Sequence, residues 1–388
     1  MKIITKKITA FLAVCLASLL VFLPVHSQAQ NLSFQTESDW ELAATGMVPV
    51  FLNISNHDSF SADGEDQLST RVMSGFNPAN ITFTVTAPEH NGITVSGTFQ
   101  INHHLQGPSV QNAGLFEGRV ADIAVSGDFG TFNVGKGFGI FNSIAIGDEG
   151  SGRGIGRFGG PDAADATLGR IGSGYVYANF NPRVTYTTPN LGGFTFKAGL
   201  INPEKPGGAT SNIETALPRI EAQADYLIGF DGGTAQLWAG TMFQNVDVVG
   251  ADYDYDIFGF DTGLKLNVGG FGLTGAFTFT EGVGADGLIG LNLIGSGLDQ
   301  AEVEATQWYA EATYDFGGFL LGLSYGEGSQ DANQTVVGAS PDITNELLMA
   351  FFRYNVTDNL VLIGEFQNFA SDAQADYVAG ILGMQFNF

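Results

Sequence analysis

The feature that most restricts this chain is a series of segments, each about ten residues long, in which apolar and polar residues alternate. In Phe271-Gly-Leu273-Thr-Gly275-Ala-Phe277-Thr-Phe279-Thr280, every odd position is large and apolar or glycine, and every even one is small or polar. Successive side chains of a strand point to opposite faces, so such a segment has one apolar face and one polar face. The rhythm recurs: Phe258, Phe260, Leu264 and Leu266 oppose Asp261, Lys265 and Asn267. Ile220, Ala222, Ala224 and Tyr226 oppose Arg219, Glu221, Gln223 and Asp225, and Trp308, Ala310, Ala312 and Tyr314 oppose Gln307 and Glu311. A soluble sandwich turns its apolar face inward and uses strands of ~5–6 residues. Strands of ~10 residues cross a bilayer at a tilt, and charges in mid-strand suit a wet interior.

The N-terminus has to be set aside before fold is discussed. Lys2, Lys6 and Lys7 precede a nearly unbroken apolar stretch from Ile8 to Leu23, and Ser27-Gln28-Ala29 follows with small residues where a signal peptidase reads. This predicts a secretory signal peptide over 1–29 and a mature domain over 30–388. Cys15, the one cysteine, lies inside the apolar stretch after Val14, which is not the small residue a lipoprotein needs. The mature chain therefore has no thiol, disulfide or cysteine metal site. It also has no apolar run near the ~18 residues of a spanning helix, so a membrane-spanning form must be a closed barrel.

Charge narrows the function classes. Of 15 lysines and arginines three leave with the signal, so 12 remain against 40 carboxylates. Nucleic-acid binding, which needs a basic footprint, is excluded. Disorder is excluded as well: only 14% of residues are charged, and the chain carries 32 Phe and 54 Gly.

The connections alternate in length. Tight, glycine- and asparagine-bearing turns stand at 89–92, 127–130, 190–193, 230–233, 268–270, 315–318 and 357–359. Longer polar stretches stand between them near 55–68, 106–117, 139–173, 202–217, 247–256, 284–305, 329–343 and 371–374. Short turns on one side and long loops on the other are the outer-membrane barrel pattern. The segments predict about sixteen antiparallel strands, from 41–54 through 175–189 to 375–388, with Gly75 and Pro78 breaking the second. At the C-terminus Leu382, Met384, Phe386 and the terminal Phe388 share one face, resembling the signal read by the barrel-assembly machinery.

Two stretches resemble the general (non-specific) Gram-negative porins. In Arg119-Val-Ala-Asp-Ile-Ala-Val-Ser-Gly-Asp-Phe-Gly-Thr-Phe-Asn-Val-Gly-Lys136, an arginine-led strand turns at Gly-Asp-Phe-Gly and ends in glycine and a base. Arg183-Val-Thr-Tyr-Thr-Thr-Pro-Asn-Leu-Gly-Gly-Phe194 resembles the strand and turn after the constriction loop. The start of the mature chain, Asn31 to Thr45, departs from the family by lacking its usual opening strand. The resemblance implies that the long third loop, 139–173, folds into the lumen. It further implies carboxylates on that loop (Asp148, Glu149, Asp162, Asp165) facing wall bases, here Arg71, Arg119 and Arg183. Arg153, Arg157 and Arg170 lie among the loop acids, and glycines 147, 150, 152, 154, 156, 159 and 160 suit tight packing. By parity alone Lys197, Arg219 and Lys265 also face the lumen. Opposed charges across a narrow wet pore select on charge as well as size; the same bases otherwise neutralise acids such as Glu221 and Asp225.

Lys136 has the parity of Phe132 and Val134 and so faces outward, where a lysine is costly near mid-membrane. It either snorkels to the rim or meets another subunit, as the trimers of the family imply. Asp252-Tyr-Asp254-Tyr-Asp256 spaces hard-cation ligands but lacks the glycine and distal glutamate of a calcium loop, so a solvated acidic loop is favoured and no metal site is assigned. His103 and His104 are adjacent and point to opposite faces, and neither His57 nor His104 has an evident serine partner. The expectation is a homotrimer among lipopolysaccharide and lipid, without cofactor or catalysis, passing ions and small hydrophilic solutes with a cation preference. A substrate-selective pore, for which Trp238 and Tyr177 are inward aromatics, and a barrel enzyme or adhesive surface protein are the alternatives.

Overall fold

A computed structural model of the chain describes residues 32–59, 63–105, 116–161, 166–203, 213–285, 301–336 and 338–388. The signal peptide expected over 1–29 and the loop acids Asp162 and Asp165 lie outside the described residues. Sixteen antiparallel strands close into one barrel. They are Glu41–His57, a second strand in two pieces (Gln67–Met73 and Ala79–Thr86), Thr94–His103, Phe116–Gly127, Gly130–Phe138, Phe180–Thr187, Phe194–Ile201, Arg219–Phe230, Gly233–Val248, Tyr253–Val268, Phe271–Glu281, Glu304–Asp315, Phe319–Gln330, Ile343–Asn355, Leu360–Ser371 and Tyr377–Asn387. Each pairs with the next, and the first pairs with the last from Met47↔Asn387 to His57↔Tyr377. Closure leaves no edge among these sixteen wall strands, the condition for strands in lipid. Among the described residues the helical content is a single 3₁₀ turn, Ser151–Arg153.

The alternation sorts as the sequence predicts. Phe258, Phe260, Phe271, Leu273, Phe277 and Tyr314 are exposed on the outer face, while Asp261, Thr278, Gln307 and Glu311 are buried on the inner one. The tight turns fall where expected, with Asn91, Gly92 and Gly130 at positive φ.

Four expectations are corrected. The chain from Asn31 to Thr45 does hold a strand: Leu32–Gln35 pairs with the start of the first wall strand, Leu32 opposite Ala44. The strand expected over 175–189 begins only at Phe180, because Tyr175, Val176, Tyr177 and Ala178 are buried with the preceding segment. The expected loop 247–256 is mostly ladder, with Val248 facing Tyr253. Finally, the inner face is not uniformly polar. Ile363, Phe369 and Ile381 share it with Glu365 and Gln385 and are buried.

The break in the second strand has a local cause. Gly75 sits at φ +81°, and a Cβ there would stand 2.6 Å from the Phe51 ring and 2.7 Å from the Gly154 carbonyl. Phe76 N–H donates to that same carbonyl at 3.0 Å. The strand opens where Gly154 meets it.

Candidate functional site

Described residues of the segment 139–179 (139–161 and 166–179) bond and pack against wall side chains on the face opposite the exposed apolar ones. Wall carboxylates from four strands hold the segment's backbone. Glu221 accepts from the N–H groups of Ile140 at 2.6 Å and Phe141 at 3.1 Å. Asp261 accepts from Asn142 N–H at 3.0 Å and from the Trp238 indole at 2.9 Å. Glu311 accepts from Glu149 N–H at 2.7 Å and Gly150 N–H at 2.9 Å. Glu365 accepts from Ile155 N–H at 2.8 Å, Gly156 N–H at 3.3 Å and the Gln367 amide at 2.7 Å. An irregular segment cannot satisfy its own N–H groups, and an ionised carboxylate is an acceptor-only partner with two oxygens. Each such charge-assisted bond contributes about 1.5–3 kcal/mol.

Close approach depends on glycine on both sides. A Cβ at Gly154 would stand 1.6 Å from Glu365 Oε1. On the wall, a Cβ at Gly326 or Gly328 would come within 2.4 Å of the carbonyl of Ser173 or Gly172. Apolar packing completes the dock: Ile155 and Phe158 are buried against Leu347, Met349, Ile363 and Phe369. A second cluster sets Phe141 and Val176 against Met242 and Val246, and a third sets Ile146 and Tyr175 against Trp238 and Tyr309.

The segment's own charges divide into anchors and free groups. Asp148 is buried, accepting from the Ser151 N–H at 2.7 Å, the Ser151 hydroxyl at 2.8 Å and the Tyr175 hydroxyl at 3.2 Å. Burial and the neighbouring Asp148 charge push the Tyr175 phenol well above its ordinary value, so it remains a donor. Arg170 is fully buried, donating to the Ser324 hydroxyl at 2.6 Å and the Leu347 carbonyl at 3.2 Å, with Asp148 at 3.7 Å. Arg157 is fully buried too, donating to the Ile171 carbonyl at 2.9 Å beside the Phe369 ring. Asp148 was expected to face the pore and is instead part of the segment's core. Glu149 does remain half-exposed and pairs with Arg353. Burial opposes its ionisation, but the charges of Arg353 and Arg153, the Arg353 hydrogen bond and Lys265 outweigh it and hold its carboxyl below the usual glutamate range. Arg153 is exposed, and Lys265 donates to the Gly147 carbonyl at 3.0 Å.

The other wall bases all lie on the inner face, but not in one cluster. Arg183 reaches over Gly137 to Asp122 at 3.1 Å and also bonds Thr185 at 3.0 Å. Lys197 is half-buried on the neighbouring strand. Arg71 donates to the Pro161 carbonyl at 2.9 Å, tying the segment to the second strand. Arg119 is buried, bonded to Glu117 at 2.9 Å, with His104 at 3.4 Å from the same carboxylate. Arg219 is fully buried against Glu221 at 2.8 Å. Lys136 faces outward and bonds the Gly118 carbonyl at 2.7 Å. The Phe386 and Phe388 rings stack at 5.9 Å, and the terminal residue exchanges backbone hydrogen bonds with Gly46.

Sequence reasoning missed Arg353 and a serine partner for His57. Arg353 follows Phe351 and Phe352, so neither face of its strand reads as polar. Ser55 Oγ lies 2.9 Å from His57 Nε2, two residues along one strand face, but both are buried beneath Phe158 and Tyr377. Trp238 and Tyr177 are buried as well.

A family model described as Gram-negative porin matches residues 16–374. This chain belongs to the Gram-negative porin family. Solved structures agree on the fold. The outer membrane channel DcaP of Acinetobacter baumannii superposes with a TM-score of 0.65 at 16% identity, covering 92% of this chain and 99% of that one. An anion-selective porin from Comamonas acidovorans gives 0.62 at 16% identity, with 90% and 100% covered. OmpF of Salmonella typhi, in complex with daunomycin, gives 0.61 at 13% identity, with 92% and 100% covered. No curated relative matches the sequence. The likeness to structures at this identity extends to the porin barrel itself and leaves the pore residues to be read from the porin in hand.

Proposed function

We propose that this porin is a passive, water-filled channel of the outer membrane through which ions and small hydrophilic solutes diffuse, and that residues 139–173, extended to Asn179, narrow its lumen. The carrying observation is the set of bonds from Glu221, Asp261, Glu311 and Glu365 to backbone amides of that segment. A loop so fixed on the inner wall is a rigid restriction. On this reading residues 1–29 are a signal peptide removed on export, the working unit is a homotrimer surrounded by lipid and lipopolysaccharide, and Phe386 and Phe388 carry the assembly signal.

The cation preference expected from the surplus of acids is not supported. Four inward carboxylates are bonded to segment amides, and overall charge says nothing about the groups a permeating ion meets. Purified protein in planar bilayers should give discrete, persistent conductance steps. A detergent-folded protein that stays silent would overturn the channel reading. N-terminal sequencing of the exported protein should begin at Gln30.

A further inference from the structure

The acids and bases near the tip of the inward segment are unequally committed. Asp148 is filled by Ser151 and Tyr175, Glu311 by the N–H groups of Glu149 and Gly150, and Glu365 by those of Ile155 and Gly156. None of the three can turn toward a solute without breaking the dock. Glu149 differs: its side chain is 44% exposed.

The bases are looser. Arg153 is exposed at the end of the 3₁₀ turn, beside Gly152, where a Cβ would meet nothing closer than 3.7 Å. Lys265 makes one bond to a neutral carbonyl. Arg353 is only 6% exposed and engages Glu149 through Nη1, while its Nε and Nη2 have no hydrogen-bond partner among the described residues. A guanidinium is shaped for two-point binding of planar or tetrahedral oxyanions, and buried donors left unmade are costly. Among the described residues, three bases thus surround a single movable carboxylate.

We propose that Arg153, Lys265 and Arg353 form a site inside the channel for small anionic solutes carrying a carboxylate or phosphate group, with Glu149 as the resident counter-charge such a solute displaces. The solute's oxygens take over the Arg353 Nη1 bond, Glu149 swings into water, and Arg153 and Lys265 close from either side. This deepens the channel reading and rests on it. It also gives a strongly acidic chain a local site for anions.

The test is single-channel recording of the full-length mature protein in potassium chloride, titrated at constant ionic strength with inorganic phosphate in one arm and acetate in the other. Wild-type conductance should fall saturably with at least one of them, and the arm with the lower half-effect names the preferred group. The double variant R153Q/K265Q should weaken the effect about tenfold, the cost of one charge-assisted hydrogen bond. K265R should restore much of it, and E149Q should strengthen it and move the reversal potential toward anions. Phosphate and acetate that act no differently from chloride, or an effect that survives in R153Q/K265Q, would overturn the site. Absence of any conductance would instead strike the channel reading, and this proposal with it.

Discussion

The two sides of the barrel use their inner faces differently. Around Gly130–Phe138, Phe180–Thr187 and Phe194–Ile201 the inner face is Asn133, Arg183, Thr185, Thr195 and Lys197, of which Asn133 and Arg183 donate hydrogen bonds to Asp122. Around Ile343–Asn355, Leu360–Ser371 and Tyr377–Asn387 it is Leu347, Met349, Ile363, Phe369 and Ile381, all buried under Ile155 and Phe158. The outer faces of the two sides are alike in being apolar. The outer face is therefore apolar on both sides, whereas the inner face is apolar where Ile155 and Phe158 cover it and polar on the other side, termed the wet side, where Asn133 and Arg183 bond Asp122.

The largest effect should come from breaking the covered side. Ile155→Asp places an unpaired carboxylate in the apolar cluster, at a cost of several kcal/mol. The segment should leave that wall while the barrel, closed through Met47↔Asn387, stays folded. Single-channel conductance should rise clearly, and the heat-modifiable mobility of the folded barrel in detergent gels should persist. Thr195→Ser, on the wet side, should leave both conductance and mobility as in the wild type. Unchanged conductance in Ile155→Asp would mean the dock is not apolar in origin.

A smaller effect should follow from Gly326→Ala. The added methyl meets the Ser173 carbonyl at 2.4 Å and the Tyr309 Cβ at 2.8 Å, neither of which can move without shifting the segment or the wall. Overpacking of this kind costs about 1–3 kcal/mol. Protease nicking within the segment, assayed on folded protein, should accelerate. Gly97→Ala, with nothing within 4 Å of the new atom, should be silent.

This contrast explains how far the sequence could be read. Alternation with period two fixes the outward face, and the turn chemistry at Gly127–Gly130 or Phe230–Gly233 fixes the strand count, because both depend on neighbours along the chain. The dock does not. Leu347, Met349 and Phe351 alternate with Leu348 and Phe352, so the strand is apolar on both faces, a pattern that in a barrel signals a covered inner wall. That sign was present but does not name the cover. Which carboxylates bond amides, and which stay free, depends on pairings such as Glu149 N–H with Glu311, 162 residues apart. Asp148 and Glu149 are adjacent acids with identical promise in sequence; one is buried in the segment's core and the other half-exposed beside Arg353.

Acidification should act on the same tip with a defined sign. The Glu149 carboxyl is held below the usual range chiefly by Arg353 and Arg153 against burial. Its pull on Arg353 is therefore complete above the ordinary glutamate value and is lost only as the pH falls through its lowered one. Reversal potentials followed downward in pH should contain a shift toward anions confined to that acid range, and E149Q should lack that component. An equal shift in E149Q would assign it to other carboxylates.

On the wet side the expected effects are on transport rather than stability. Arg183→Gln removes the contact to Asp122 but leaves no apolar cavity. Conductance ratios between cations and anions should move toward cations, with thermal unfolding nearly unchanged. A large loss of stability would mean that Arg183 is a structural neutraliser and not a group that ions meet.

The smallest effect tests the outer face behind that same wet side. Lys136 follows the exposed side chains of Phe132 and Val134 on the same face and bonds the Gly118 carbonyl on the preceding strand. A lysine alone in lipid at mid-depth costs about 2–4 kcal/mol, and less near the rim. If this wall faces lipid, Lys136→Leu relieves that cost and should raise the unfolding temperature of the single barrel slightly. If it faces a second copy of the chain, the lysine is sheltered in the assembly, and Lys136→Leu should instead lower the temperature at which the trimer separates while leaving the separated barrel as it was. Gel mobility of unheated and progressively heated samples reads both transitions. The two readings therefore differ in sign and not merely in size, so even a small shift decides whether the wet wall is also the wall that meets its neighbour.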